Sequence, residues 1–317
     1  ERGEQIHAEV AKRGFLLGGN AELLGTALVD MYAKCGALKK AQVVFDSLPM
    51  QSASTWTALL AGYAYHGFNI EAFNMSLRTQ DEGRGISPDI VTLACFLKAC
   101  GGLGVIKKGE EIHKQVIERG LLREDIILGT ALVDMYAKCG CLAKAQVVFN
   151  ELSLRDAALW NSLIGGYAQL GQAREVLILL SEMMKESVSP DLITFLVLLN
   201  ACSHAGLVQE GEMYYNLMTI THSLSPSFEH YACMVDLWGS AGQLDKAILL
   251  IEDLTAPDRL RPLSILMACS QKWVNVELGR WAFEHLLELS GKNAALYVSM
   301  SNIYMQASDM PSSTRIW

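Results

Sequence analysis

The chain has 317 residues, of which 51% are hydrophobic and 19% charged, so it carries enough apolar surface to build an extended core. Its formal net charge of −8 excludes a protein that holds nucleic acid by bulk charge alone, because neutralising phosphates requires Lys and Arg. The sequence starts at Glu1 without an initiator Met and stops abruptly at Trp317. We interpret it as a piece of a longer protein whose targeting segments lie elsewhere.

A twelve-residue segment occurs twice and organises the sequence. The segment GTALVDMYAKCG spans Gly25 to Gly36 and recurs from Gly129 to Gly140, an offset of 104 residues. A long repeat at a fixed offset predicts an array of similar structural units.

Each copy has the pattern of a helical hairpin. Two apolar stripes at helical spacing are predicted to pack: Leu28, Met31, Tyr32 and Cys35 in a first helix, and Leu38, Ala41, Phe45 and Leu48 in a second. Gly36 suits the left-handed backbone position that ends the first helix. A lone hairpin cannot bury both of its faces, so neighbouring hairpins must stack on it.

Hairpins of this kind recur along the chain. We predict a partial unit over 1–21, a tandem array over 22–258, an extension unit over 259–293 and a truncated second extension unit over 294–317. The array divides into seven units: 22–52, 53–89, 90–125, 126–156, 157–191, 192–227 and 228–258. Three kinds of unit alternate in a fixed order, and units of 31, 37 and 36 residues account for the offset of 104. The predicted fold is all-α, a right-handed α-solenoid of tandem helix-turn-helix repeats.

The units resemble those of pentatricopeptide repeat (PPR) proteins, in the PLS subclass that mixes standard, long and short motifs. Thr26 to Gly36 resembles the short motif, Leu159 to Tyr167 the standard motif and Thr92 to Cys100 the long motif. Asn275 to Gly279 and Tyr297 to Tyr304 resemble the two E-type extension motifs. The resemblance covers almost the whole chain and points to plant organellar RNA-editing factors.

Two features depart from the pattern of that family. Gly18 with Gly19, and part of the segment 81–85, look like insertions that lengthen their units. Pro262 stands where the first extension motif usually opens with a Trp.

The resemblance implies a way of binding single-stranded RNA, with one base read by each repeat. In the family, the fifth and last residues of a unit select the base, and the second residue sandwiches it. Thr26 with Ser52 then favours a purine, weakly adenine, and Asn161 with Asp191 favours uracil.

Two further pairs imply guanine, and three units imply weak discrimination. The guanine pairs are Thr57 with Asp89 and Thr130 with Asp156. The units with a non-polar fifth residue are Ala94 with Asp125, Leu196 with Ser227 and Ala232 with Asp258. The base-sandwiching candidates are Val91, Ile127, Ala158 and Ile193. The RNA implied for the array is 5′-AGNGUNN-3′.

The family resemblance also implies selection of cytidines for C-to-U editing in mitochondrial or chloroplast transcripts, or else a role in RNA stabilisation or splicing. Deaminases need the motif H-x-E together with P-C-x-x-C to hold zinc, and P-C-x-x-C does not occur here. We therefore expect a non-catalytic chain without a cofactor, which binds neither DNA nor a membrane. Its C-terminal extension would recruit a deaminase-bearing protein or another editing factor.

The eight cysteines do not follow a metal-binding pattern, because the chain lacks a C-x-x-C pair. Five of them, Cys35, Cys100, Cys139, Cys202 and Cys269, recur at matching repeat positions, which predicts reduced thiols on buried helix faces without a metal site.

Two other functions remain open. A tetratricopeptide-like scaffold would bind a basic peptide in its groove, which suits the net charge of −8. However, the units are not a uniform length of about 34 residues and lack the aromatic signature of that repeat. A decayed product without a fixed target is the other alternative, motivated by the non-polar fifth residues and the missing Trp.

Overall fold

Eighteen α-helices make up most of the residues that the computed structural model describes, which are 2–13, 21–81, 88–123, 125–291 and 293–307. The helices are α1 Arg2–Lys12, α2 Ala21–Lys34, α3 Leu38–Ser47, α4 Ala53–Tyr65, α5 Asn69–Asp81, α6 Ile90–Leu103, α7 Ile106–Glu118, α8 Ile126–Lys138, α9 Leu142–Glu151, α10 Ala157–Gln169, α11 Ala173–Lys185, α12 Leu192–Ala205, α13 Val208–Asn216, α14 Phe228–Ser240, α15 Leu244–Asp253, α16 Ala256–Lys272, α17 Val276–Ser290 and α18 Ala294–Gln306. Those ranges contain no strand, and none of their helices has both the length and the apolar character of a bilayer span.

The helices are paired into tandem hairpins. The turn after α2 contains Gly36 at φ 73°, and the N–H of Ala37 donates to the carbonyl of Tyr32 at 2.9 Å. This is the left-handed turn that the sequence predicted, and it satisfies carbonyls that the end of a helix leaves without partners. The predicted insertions lie mostly in 14–20 and 82–87, outside the described residues.

The chain forms two compact regions, an N-terminal region Glu1–Gly166 and a C-terminal region Tyr167–Trp317. In the N-terminal region, the first helices α2, α4, α6 and α8 pack on one another in order, and α3, α5 and α7 each contact the first helix on either side. In the C-terminal region, α12, α14, α16 and α18 pack in order, with α13, α15 and α17 placed in the same way. Each hairpin therefore buries its apolar faces against the next one, as an array requires.

One recurring junction joins a second helix to the following hairpin through polar contacts. His7 Nδ1 lies 3.1 Å from the hydroxyl of Tyr32, and His113 Nδ1 lies 2.9 Å from the hydroxyl of Tyr136. Ion pairs accompany these two contacts, Lys40 with Glu4 and Lys144 with Glu110. The matching pair of Lys246 with Glu212 lies beside the indole N–H of Trp238, which donates to Glu212 at 2.7 Å. The same interface chemistry thus recurs at the repeat period.

A second recurring junction is aromatic. Phe45 in α3 meets Trp56 in α4 edge to face with ring centroids 4.9 Å apart, and Phe149 in α9 meets Trp160 at 4.7 Å. All four rings are buried, so these pairs are the centres of two equivalent core layers in the N-terminal region.

The predicted packing of Cys35 is wrong. Leu28, Tyr32, Leu38, Ala41, Phe45 and Leu48 are buried and Met31 is partly buried, but Cys35 is exposed beyond the end of α2. Its equivalent Cys139 is partly covered, and its Sγ lies 3.9 Å from the carbonyl oxygen of Cys100 in α6. Before α2 the structure describes only the short helix α1, so nothing equivalent to α6 covers Cys35.

Candidate nucleic-acid interface

Five of the predicted last residues cap the first helix of the next hairpin. Ser52 Oγ accepts from the backbone N–H of Thr55 at 3.4 Å, and Asp89 Oδ1 accepts from that of Thr92 at 2.8 Å. The other three do the same: Asp125 to Ile127 at 2.8 Å, Asp156 to Leu159 at 2.9 Å and Asp191 to Thr194 at 2.8 Å. Ser and Asp are therefore favoured here as N-caps, whatever they bind. In the Asp89, Asp125 and Asp156 caps the bond is to Oδ1, which leaves Oδ2 to accept from a ligand.

The predicted fifth residues lie one turn further along the first helices. Thr26, Thr57 and Thr130 are half-buried, and Asn161 is buried. The hydroxyl of Thr26 lies 2.7 Å from that of Thr55, and the hydroxyl of Thr57 lies 2.9 Å from that of Thr92. Thr26 and Thr57 therefore each contact the third residue of the next hairpin.

Two of the predicted base-selecting pairs are brought together through one threonine. Thr92 bonds to Thr57 through its hydroxyl and to Asp89 through its backbone N–H. Thr55 bonds in the same way to Thr26 and to Ser52. The sequence reasoning missed both bridging threonines, although their common position, third in units 53–89 and 90–125, was a signal that could have found them.

The pair Thr130 and Asp156 is arranged differently. Thr130 and Asp156 have no such bridge, because the third residue of the next hairpin is Leu159, whose side chain cannot form a hydrogen bond. Asn161 lies in the N-terminal region and Asp191 in the C-terminal region. In the C-terminal region, His230 is the third residue of unit 228–258 and also contacts the first helix of the preceding hairpin. Its ring lies 2.9 Å from the carbonyl oxygen of Leu192.

The predicted sandwiching residues are exposed at the starts of first helices. Val91 is 47% exposed, Ile127 60% and Ile193 61%, and Ala158 is exposed as well. Leu23, the second residue of unit 22–52, is 74% exposed and belongs with them, although the sequence reasoning did not include it. Solvent-exposed aliphatic side chains next to the capping residues can contact the face of a flat ring.

The first helices of the N-terminal region carry little positive charge. The first helices α2, α4, α6 and α8 carry three lysines, Lys34, Lys98 and Lys138. Lys34 pairs with Asp30 and Lys138 with Asp134, each at 2.7 Å, within one helix. Pairs of this exposed kind are weak, so the lysines remain available to phosphate, but they are few.

Burial keeps two of the thiols protonated. Burial raises the pKa of Cys100 to about 11 and that of Cys202 to about 12, so both are neutral thiols at ordinary pH. All eight cysteines are free, and the described residues include no group of three or more His, Cys, Asp or Glu side chains that could hold a metal ion.

The fold and the recurring junctions define a protein of tandem helical hairpins. Family models for the PPR repeat match residues 54–75, 130–156 and 193–219, and a model for the PPR repeat family matches 155–204. The chain therefore carries pentatricopeptide repeats.

Known PPR proteins are similar to the chain over nearly its whole length. In Arabidopsis thaliana, the PPR-containing protein At2g33680 is 38% identical over 100% of this chain and 43% of its own length. The chloroplastic PPR-containing protein CRR2 is 37% identical over 96% of this chain and 46% of its own length. The putative PPR-containing protein At1g68930 is 36% identical over 95% of this chain and 40% of its own length. The chain thus spans less than half the length of these relatives.

Solved structures confirm the fold class. The crystal structure of PPR10 from maize superposes with a TM-score of 0.68 at 17% identity, covering 99% of this chain and 46% of PPR10. PPR10 in complex with an 18-nt psaJ RNA element superposes with a TM-score of 0.71 at 16% identity, covering 99% of this chain and 47% of PPR10. The predicted all-α solenoid of tandem hairpins is confirmed.

Proposed function

We propose that this chain binds single-stranded RNA and reads one base per hairpin through the fifth and last residues of each unit. The observation that carries the proposal is the threonine-bridged junction, in which Thr55 or Thr92 holds the fifth and last residues of the preceding unit together. Short hydroxyl and carboxylate groups held in this way offer donors and acceptors to the edge of an unstacked base. The complex of PPR10 with RNA supports the same class of ligand for this chain.

The base order follows from the residues at these positions. Thr26 with Ser52 accepts a purine, Thr57 with Asp89 and Thr130 with Asp156 accept guanine, and Asn161 with Asp191 accepts uracil. The units with Ala94, Leu196 or Ala232 at the fifth position discriminate weakly. The bound RNA is 5′-AGNGUNN-3′, and Val91, Ile127, Ala158 and Ile193 contact the faces of the bases.

The biological role we propose is the choice of cytidines for C-to-U editing in an organelle. The order of standard, long and short units and the likeness of the C-terminal units to E-type motifs support this role. The name of the relative CRR2, which places that protein in the chloroplast, supports an organellar location. The chain itself only binds, and a deaminase-bearing partner docks on its C-terminal extension.

One observation favours a second function. The net charge of −8 and the three lysines of the first helices in the N-terminal region suit a basic peptide better than a polyanion. The same array would then act as a peptide-binding scaffold.

Selection from a pool of random RNA at low salt separates the two functions, with a library of basic peptides tested in parallel. RNA binding predicts enrichment of a motif with guanines two positions apart, flanked by a purine on the 5′ side and uracil on the 3′ side. Enrichment of basic peptides without any enriched RNA motif contradicts RNA binding and supports the scaffold.

A further inference from the structure

A cavity lies on the same helix faces as the first two base-reading threonines. On α2, Thr26, Asp30 and Lys34 follow one another at intervals of four residues, so they share one face of that helix. On α4, Tyr65 lies two such intervals after Thr57. A cavity of about 350 Å³ lies between α2 and α4, and its walls include Asp30, Lys34 and Tyr65. The face that carries the base-reading residues therefore continues into this cavity.

Small residues form the floor of the cavity and bring the two helices close together. A Cβ atom added to Gly62 would lie 2.5 Å from the Cβ of Ala33, so the glycine allows α4 to approach α2 there. The ring of His66 donates from Nε2 to the carbonyl oxygen of Ala33 at 2.9 Å. The same ring meets Tyr65 edge to face, with centroids 5.0 Å apart. The end of α4 that carries Tyr65 is thereby attached to α2.

Asp30 and Lys34 provide the charge at this cavity. Oδ2 of Asp30 accepts from Nζ of Lys34 at 2.7 Å, which leaves Oδ1 to accept from a ligand. The side chain of Asp30 is 43% exposed, and Tyr65 is 77% exposed. A carboxylate beside an exposed aromatic ring and an apolar floor suits a sugar, whose hydroxyl can donate to the carboxylate while its C–H groups pack on the ring.

The distance from the base-reading residues to the cavity suits the sugar of a bound nucleotide. In the proposed function, Thr26 with Ser52 reads the first base of the RNA. Four helical residues place Asp30 about 6 Å further along α2 than Thr26. The ribose is joined directly to the base, so a nucleotide whose base meets Thr26 can place its sugar beside Asp30.

We propose that the cavity between α2 and α4 is a ribose site, in which Asp30 accepts a hydrogen bond from the 2′-hydroxyl of the nucleotide read by unit 22–52. Tyr65 packs on the sugar, and Lys34 offsets the repulsion between the carboxylate and the phosphates. DNA has no 2′-hydroxyl to donate, so this site favours RNA over DNA. The inference rests on the proposed function and adds a contact with the sugar to the contacts with the base.

The test compares the RNA 5′-AGNGUNN-3′ with the same RNA carrying 2′-deoxyadenosine at its first position, by fluorescence anisotropy. Wild type should bind the all-ribose RNA about fivefold more tightly, the value of one hydrogen bond. Asp30→Ala should bind the two RNAs equally. The ratio within each variant is the readout, because removing a carboxylate also changes the attraction for phosphates.

Three further variants separate the carboxylate from its surroundings. Lys34→Ala breaks the same ion pair but retains the carboxylate, so it keeps the wild-type ratio. Asp134→Ala, the matched change in the duplicated segment, also keeps the ratio at the first nucleotide. Tyr65→Ala weakens the binding of both RNAs about fourfold, the value of one buried CH₂ group. The pair of Asp30 with Lys34 is an exposed one within a single helix, so breaking it leaves the variants folded.

Equal affinity of the wild type for the two RNAs overturns the inference, and so does a preference for ribose that survives in Asp30→Ala. A preference that is lost equally in Lys34→Ala assigns it to the ion pair and overturns the contact with the sugar. A wild type that binds no RNA, or that binds only basic peptides, overturns the proposed function itself.

Discussion

Two junctions in the N-terminal region begin from nearly identical hairpins and end differently. Thr26 and Thr130 occupy the same place in the duplicated segment, yet Thr26 meets the hydroxyl of Thr55 while the residue equivalent to Thr55 after Thr130 is Leu159. The aromatic pairs at the two junctions are equivalent. The shared residues thus build the scaffold, and the following hairpin decides whether the fifth residue has a hydroxyl partner.

The largest expected effect is the loss of the shared aromatic layer. Trp160→Ala and Trp56→Ala should each lower the free energy of unfolding by about 3–5 kcal/mol, because both rings are buried against a phenylalanine. Urea denaturation measures the change. The controls are Trp160→Phe and Trp56→Phe, which keep an aromatic ring and remove an indole N–H without a partner in the described residues, and should cost much less. A loss below about 1 kcal/mol in either Ala variant would contradict the equivalence of the layers.

Two substitutions of one cap residue, Asp156, should separate stability from base choice. Asp156→Ala removes the N-cap before Leu159 and should cost about 1 kcal/mol of stability together with the preference for guanine. Asp156→Asn keeps a good cap, so stability is retained, but its amide adds donors and guanine loses its advantage. Denaturation and RNA binding are measured on both variants. A guanine preference that survives in Asp156→Asn would show that the residue is only a cap.

A smaller effect is expected at the fifth residues. Thr130→Val and Thr26→Val should weaken binding of the matched RNA by about two- to tenfold, the value of one hydrogen bond. In Thr26→Val, the loss of affinity should be the same for RNAs with adenine or guanine at the matching base. In Thr130→Val, the RNA with guanine at the matching base should lose affinity. Fluorescence anisotropy with RNAs changed at one position distinguishes these outcomes. Losses that do not depend on the base would contradict base reading by these residues.

Acid should weaken one junction through His113. Burial lowers the pKa of His113 below its ordinary value of 6.5, and its Nε2 has no hydrogen-bond partner among the described residues. The folded state therefore binds the proton less tightly than the unfolded chain, so this contribution to stability is full above pH 6.5 and is lost as the pH falls through the lowered pKa. Denaturation of His113→Gln and wild type between pH 7 and pH 5 should show a smaller acid loss in the variant. Identical pH dependence would contradict this assignment.

The smallest expected effect is that of salt. The three lysines of the first helices in the N-terminal region predict a slope of log binding constant against log salt no steeper than about −2. A steeper slope, measured by titration with potassium chloride, would mean that phosphates bind elsewhere on the protein.

Local patterns in the sequence predicted much of the fold. The duplicated segment, the apolar spacing and Gly36 predicted the hairpin, because these signals act within one turn or one helix. The exposure of Cys35 was not predictable in the same way, since among the described residues no helix equivalent to α6 packs ahead of α2. The predicted unit boundary at residue 258 falls inside a helix rather than just before one, because α16 begins at Ala256 and Asp258 lies in its first turn.

The candidate site was only half visible in the sequence. Ser52 and Asp89 could be chosen by position, but a bond from Thr57 to Thr92 joins residues 35 positions apart. The contact between these two hydroxyls therefore emerges only from the packed helices.

The most direct test of RNA reading compares two oligonucleotides. One is 5′-AGNGUNN-3′ with defined filler bases, and the other carries cytosine at both guanine positions. Base reading by Thr57 with Asp89 and Thr130 with Asp156 predicts that the first binds about tenfold or more tightly, because cytosine presents an acceptor where guanine presents a donor. Equal affinity for the two RNAs would contradict the account.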